Sequence, residues 1–153
     1  MVVRAPMPDV PPGWNGHQVI WQSMGAYVDG KWYPAEDGQP MAQGQLHVEK
    51  IIDAHGILED LYAADDRVFL AVDLLIYYRE GDERYATAPD IIVAFGVPKL
   101  PPRSSYFVWA EGTPPHVAFE VISRTSNVRD REEKPELYQT IGIQEYIIYD
   151  PAP

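Results

Sequence analysis

The pattern of apolar and polar positions predicts a helix, three strands, a second helix and a fourth strand. Apolar residues recur at helical spacing from Gln45 to about Ala63. Three continuous apolar runs are typical of strands, the first covered on both faces; they span residues 68–78, 89–95 and 116–123. A helix that ends near Gly142 and a last strand over 145–150 complete the order. The order predicts an α/β (α+β) domain with a mixed sheet flanked by helices.

Two shorter features accompany this order. In the first helix, the apolar stripe predicted to face the core is Val48, Ile51, Ile52, His55, Leu58 and Tyr62, with His47 beside it. A short strand is predicted at 106–109. It carries Tyr106, Phe107 and Trp109, which are candidates for either the core or a dimer interface. We expect His55 to be a core histidine.

The first 44 residues show neither helical spacing of apolar residues nor a strand-like apolar run, and they contain six prolines and six glycines. We therefore predict an irregular N-terminal segment, 1–44, that packs on a core of residues 45–153 within a single domain. Its three tryptophans are too apolar for a solvated tail. The dipeptide Asp29-Gly30 predicts a tight hairpin turn within it.

Composition excludes several classes of function. The chain of 153 residues has no cysteine, which rules out disulfides, zinc–thiolate sites, iron–sulfur clusters and thiol nucleophiles. No apolar run is long enough to span a membrane, and we expect a cytoplasmic protein. The net charge of −11 should repel polyphosphates, so binding of nucleic acid would need a local basic patch, a metal ion or both.

Two carboxylates stand alone in apolar strands, Asp90 and Glu120. A buried carboxylate without a partner costs several kcal/mol, so each needs a cation, a set of donors or a proton. If the strands are adjacent, the pair can form a magnesium site together with a backbone carbonyl beside Glu120. Alternatively, each carboxylate caps an amide or pairs with an arginine. Asp73 is a third embedded acid, for which a turn or a core hydrogen bond is the favoured explanation.

The second helix carries a stripe of polar residues at intervals of four: Asp130, Lys134 and Tyr138. Positive charge gathers at its start, on Arg124, Arg129, Arg131 and Lys134. A solvated helix face explains these charges unless the stripe faces the two carboxylates. Pro135 predicts that the helix begins near Glu132 or is distorted.

An ordered set of motifs resembles the Uma family of restriction-endonuclease-like proteins, within the PD-(D/E)XK nuclease superfamily. The similarity runs from about residue 28 to 151, and His47 follows a segment like the one that precedes the first helix in that family. The motifs are Pro89-Asp90, Phe119-Glu120-Val121-Ile122-Ser123, Asp130…Lys134…Leu137-Tyr138…Gly142-Ile143-Gln144-Glu145-Tyr146 and Asp150-Pro151.

The resemblance implies a restriction-endonuclease-like core and a metal-dependent endonuclease that hydrolyses DNA phosphodiester bonds. It implies that Asp90, Glu120 and the backbone carbonyl of Val121 hold Mg²⁺ or Mn²⁺. The superfamily's lysine position is Ile122 here, and Lys134 matches a lysine relocated to the helix. Supporting roles are expected for His47, Asp73, Asp130 and Tyr138, and duplex DNA contacts for Arg124, Arg129 and Arg131. A homodimer is expected, and no membrane partner.

Two other readings stay open. A catalytically inactive nuclease-fold protein that serves in binding or assembly would suit the acidic charge and the isoleucine at position 122. A two-carboxylate hydrolase such as a glycosidase is also compatible with the acids, although the chain is short for a sugar cleft.

Overall fold

The computed structural model describes residues 14–36, 44–122 and 128–151, with the side chains of 128–131 outside the description. Ten strands and three helices lie in these ranges. In chain order they are β1 (Val19–Gln22), β2 (Gly25–Val28), β3 (Lys31–Pro34), α1 (Gln45–Leu61), β4 (Val68–Val72), β5 (Ile76–Tyr77), β6 (Ala86–Thr87), β7 (Ile91–Phe95), β8 (Tyr106–Phe107), α2 (Val108–Glu111), β9 (Val117–Val121), α3 (Val128–Ile141) and β10 (Glu145–Tyr149).

A four-stranded mixed sheet in the order β10-β9-β7-β4 forms the centre. Strands β4, β7 and β9 are antiparallel neighbours, whereas β10 is parallel to β9. On one face, Ile51 of α1 packs against Ile91 and Val121. On the other, Tyr138 of α3 packs in a cluster with Ala118. The predicted mixed sheet flanked by helices is therefore confirmed.

Part of the segment predicted to be irregular forms an antiparallel sheet, β1-β2-β3. The Asp29-Gly30 turn is confirmed, with φ of +50° and +82° at the two residues, as a two-residue hairpin requires. Buried aromatic residues of this sheet, Trp21 and Tyr33, pack against Phe107. Strands of four residues joined by two-residue turns are too short to show a clear period in the sequence.

The predicted strand at 68–78 is wrong as a single element. The chain turns after β4 at Asp73, whose φ is +50°, and β5 belongs to a second sheet in the order β6-β5-β8. The short strand predicted at 106–109 is two residues long, and Trp109 lies in the short helix α2. Tyr106 and Phe107 are fully buried, so they belong to the core.

The buried face of α1 is rotated from the predicted stripe. His47 and Ile51 are buried, whereas Val48 and Ile52 are exposed. The sequence pattern favoured the more apolar set of positions, but the sheet contacts the face that carries the histidine. In α3, the helix begins at Val128 rather than near 132 and keeps Pro135 inside it. Gly142, with φ of +100°, follows its end as predicted.

A buried ion pair joins the β7–β8 connection to α2. The side chains of Arg103 and Glu111 are only 2% and 1% exposed, and two hydrogen bonds of 2.9 and 3.1 Å link them. The guanidinium also donates to the carbonyls of Pro98 and Pro101. Burial raises the pKa of the Glu111 carboxyl, and the arginine opposes that rise. Among the described residues, Arg103 is the cation that balances the charge of this carboxylate.

We predict that Arg103→Met lowers the free energy of unfolding by about 3–5 kcal/mol, because it leaves Glu111 buried and uncompensated. The double variant Arg103→Met/Glu111→Leu should recover most of this loss. Urea denaturation measures both. Arg84→Met, which breaks an exposed pair with Asp82, is the control and should change little. Equal effects of Arg103→Met and Arg84→Met would show that the buried pair is not important for stability.

Candidate functional site

The register of β7 and β9 sets the two predicted carboxylates against each other. Ile91 pairs with Phe119 and Ile92 with Ala118, so one further step along the ladder places Asp90 opposite Glu120. Residues opposed on neighbouring strands face the same side of a sheet. Ile92 and Ala118, two positions from these acids, pack on the α3 face. Asp90 and Glu120 are 9% and 8% exposed on that face.

Asp90 is held mainly by the backbone. The main-chain N–H of Val121 donates to Asp90 Oδ2 at 2.7 Å. The main-chain carbonyl of Asp90 accepts from the N–H of Asp73 at 3.0 Å. Asp90 thus caps an amide of the adjacent strand, which is one of the alternatives that the sequence left open. This contact fixes the carboxylate beside Glu120.

Glu120 is held by two side chains of α3. Lys134 Nζ lies 3.1 Å from Oε1, and the Tyr138 hydroxyl donates to the same oxygen at 2.8 Å. Lys134 and Tyr138 are one helical turn apart, as the predicted stripe requires, so Pro135 does not turn the lysine away. Among the described residues, Glu120 is ion-paired with this lysine and with no arginine.

Burial and neighbouring charge act together on Glu120. Burial raises the pKa of Glu120 to about 7; the charge of Lys134 lowers it, and the negative charge of Asp90 raises it. Burial also raises the pKa of Tyr138, so its hydroxyl keeps the proton that it donates. Among the described side chains, the ammonium of Lys134 pairs with Glu120 and lies beside a second carboxylate on the same face of the sheet, an arrangement that favours an additional cation.

His47 lies on α1 next to Asp90. Its Nε2 is 3.6 Å from Asp90 Oδ2, and its side chain is 9% exposed. Neither ring nitrogen has a hydrogen-bond partner among the described residues. The sequence placed His47 beside the apolar stripe of α1, and the structure places it inside the buried face.

The remaining predicted residues differ in position. Asp73 is exposed at the end of β4 and contacts Asp90 through its main chain. Val121 contributes an N–H, and coordination by its carbonyl stays a prediction. Arg124 lies outside the described residues, as do the side chains of Arg129, Asp130 and Arg131.

Thr87 is a part of the site that sequence reasoning missed. Its side chain lies near the Tyr138 hydroxyl and lowers the pKa of that group, against the larger rise caused by burial, so the second sheet reaches the site. Thr87 stands in a short polar stretch outside every predicted strand, so no pattern marked it.

The donors fit a hard divalent cation in their chemistry, because two carboxylates from adjacent strands face one side of the sheet. His47, Asp90 and Glu120 do not form a compact set of three ligand atoms. Within the described ranges, the set of three whose ligand atoms lie within 4.8 Å of one another is His17, Asp29 and Glu80, at the surface.

The family model described as "Uma2: Putative restriction endonuclease" matches residues 26–153. The chain belongs to this family. A search of curated proteins gave no match. Among solved structures, the chain is similar to "a putative nuclease belonging to DUF820" from Anabaena variabilis, with 17% identity and a TM-score of 0.54 over 82% of this chain.

The similarity to the Anabaena variabilis structure concerns the fold, and the predicted restriction-endonuclease-like fold of this Uma2-family chain is confirmed. The match covers 65% of the other protein's chain. None of the helices in the described ranges has the length and apolar character needed to cross a membrane.

We predict that Glu120 makes the metal-free protein less stable as the pH rises. Its carboxyl has a pKa of about 7 in the folded chain against an ordinary 4.5, so the folded state binds more protons between these values. The stabilisation is complete below pH 4.5 and is lost as the pH rises through about 7.

Urea denaturation with a chelator, repeated across this pH window, measures the effect. Glu120→Gln should reduce the fall in the free energy of unfolding as the pH rises. Glu145→Gln, which removes an exposed carboxylate on β10, should not. Parallel pH profiles for the wild type and Glu120→Gln would contradict the prediction.

Proposed function

We propose that this Uma2-family chain is a metal-dependent endonuclease that hydrolyses phosphodiester bonds in DNA. The observation that carries the proposal is the buried pair Asp90 and Glu120, opposed on adjacent strands with the ammonium of Lys134 on Glu120. The description of the family as restriction endonucleases and that of its structural neighbour as a nuclease support it.

Asp90, Glu120 and the backbone carbonyl of Val121 would hold Mg²⁺ or Mn²⁺. When bound, such an ion supplies a lowered pKa for a coordinated water and stabilises negative charge on the phosphate. The two carboxylates suit such an ion because they are negatively charged and lie on the same face of the sheet. Tyr138 fixes one oxygen of Glu120 through its hydrogen bond, which orients the carboxylate.

Lys134 would have the role that a lysine on the strand has in the superfamily, which is to position the attacking water. Ile122 occupies the strand position and can offer no charge, whereas Lys134 contacts Glu120 from α3. Its side chain is 28% exposed, so the ammonium can reach solvent and the buried carboxylate alike. From there it can orient an attacking water and donate hydrogen bonds to phosphate oxygens.

The net charge of −11 requires local compensation where a DNA strand approaches. Lys134 and the metal ion supply positive charge at the site. Arg124, Arg129 and Arg131, which precede Lys134 in the sequence, are proposed to contact the DNA backbone. A homodimer that cuts both strands of duplex DNA stays a prediction.

A plasmid-nicking assay with Mg²⁺ or Mn²⁺ tests the proposal. We expect nicking that a chelator abolishes and that falls about 100-fold or more in Glu120→Gln, since a metal ion contributes several kcal/mol to this chemistry. Lys134→Met should reduce the rate in the same direction. Glu145→Gln makes the same chemical change at an exposed position of the neighbouring strand and should cleave like the wild type.

Equal rates of plasmid nicking in the wild type and in Glu120→Gln would contradict the nuclease proposal. A folded wild-type protein that binds DNA without cleaving it would instead favour the inactive nuclease-fold module. Two observations favour this alternative: isoleucine stands at position 122, where the superfamily has its lysine, and the chain is acidic overall.

A further inference from the structure

Two carboxylates at the surface, Asp29 and Glu80, converge on one histidine. His17 Nδ1 lies 2.6 Å from Asp29 Oδ2 and 3.9 Å from Glu80 Oε1. One ligand atom from each of the three residues lies within 4.8 Å of the other two. The cluster shares no residue with the candidate nuclease site at Asp90 and Glu120, so it is a separate feature of the molecule.

Three separate segments of the chain supply this cluster. His17 precedes β1, Asp29 lies in the turn between β2 and β3, and Glu80 lies in the loop between β5 and β6. Strand β5 belongs to a different sheet from β1, β2 and β3. An ion held by all three side chains would therefore crosslink two sheets of the fold.

Backbone contacts already place two of the ligands. The N–H of Gln18 donates to Asp29 Oδ1 at 2.9 Å, and the N–H of Asp29 donates to the carbonyl of Gln18 at 2.8 Å. These bonds leave Oδ2 of Asp29 for the histidine. In the other loop, the N–H of Gly81 donates to the hydroxyl of the buried Tyr33 at 2.9 Å, which anchors the chain next to Glu80. Ligands that are already in place lower the entropic cost of binding an ion.

The charges of the cluster favour a cation. Among the described residues, the ion-pair contacts of Asp29 and Glu80 are both with His17, and neither acid pairs with a lysine or an arginine. A histidine balances a carboxylate only when it is protonated, whereas a divalent ion is always positive. The hydrogen bond between His17 and Asp29 explains that pair without an ion. It does not explain Glu80, which is too far from the ring for a hydrogen bond.

We propose that His17, Asp29 and Glu80 form a Zn²⁺ site that crosslinks the β1-β2-β3 sheet to the loop after β5. Zn²⁺ accepts one imidazole nitrogen and two carboxylate oxygens, with water at the fourth position, whereas Mg²⁺ prefers oxygen ligands alone. Zinc–ligand bonds of about 2.0–2.2 Å place neighbouring ligand atoms roughly 3–3.5 Å apart. The ion would replace the proton between His17 and Asp29, and Glu80 would move in by roughly half an ångström. The site does not depend on the proposed nuclease function.

Calorimetric titration of the whole protein with Zn²⁺, without DNA, tests the site. It is done in the wild type and in Glu120→Gln, where the nuclease site no longer competes for the ion. Glu80→Gln should weaken zinc binding about tenfold or more, because it removes a ligand and leaves the hydrogen bond between His17 and Asp29 in place. Glu83→Gln makes the same chemical change at another exposed position of this loop and should bind zinc as the wild type does.

Thermal denaturation tests the crosslink. Zinc that binds the folded chain raises its Tm. We expect this rise in the wild type, in Glu83→Gln and in Glu120→Gln, and its loss in His17→Gln and Glu80→Gln. Melts without zinc show whether each variant is folded.

The outcomes separate this site from the nuclease proposal. Absence of zinc binding in Glu120→Gln overturns the site, and so does equal binding in Glu80→Gln and Glu83→Gln. Zinc binding that is lost in His17→Gln but kept in Glu80→Gln would overturn the set of three ligands. Plasmid nicking should be unchanged in His17→Gln and Glu80→Gln, so a failure of either proposal is observed without the other.

Discussion

Two buried carboxylates of like charge on adjacent strands set the main constraint on this structure. Burial is the main cause of the raised pKa of Glu120, and repulsion by the negative charge of Asp90 raises it further. The fold offsets this cost with a backbone N–H from Val121 on one carboxylate, and with Lys134 and Tyr138 on the other. Within the part of the chain that the structure describes, one ammonium lies on this pair of carboxylates, which is a reason for a cation to bind. Such an arrangement destabilises the folded state, so its presence argues for a functional role.

The topology explains how a helix can supply the lysine. Because β10 is parallel to β9, the chain must cross over the sheet between them, and α3 forms that crossover. The crossover packs α3 on the face that carries Glu120, so Lys134 reaches the carboxylate without a lysine at position 122. On the opposite face, α1 brings His47 to the end of the sheet at Asp90. The two helices thus approach one site from different directions.

The sequence predicted the parts of the site whose signal is local. A lone acid in an apolar strand is conspicuous, which is why Asp90 and Glu120 could be found, and a spacing of four showed that Lys134 and Tyr138 share a helix face. Other features depend on contacts between distant segments. The left-handed backbone at Asp73 splits an apolar run between two sheets, and the buried Glu111 stands in a proline-rich stretch, 96–115, that resembles a surface loop. No local pattern distinguishes these cases.

Anomalous diffraction from crystals soaked in Mn²⁺ would test the cation site most directly. The charge and burial of Asp90 and Glu120 predict a manganese peak within bonding distance of both carboxylates, about 2.2 Å from an oxygen of each. A peak at His17, Asp29 and Glu80 with none between the two strands would contradict the assignment of the site. The restriction-endonuclease-like fold would then remain without the metal chemistry proposed for it.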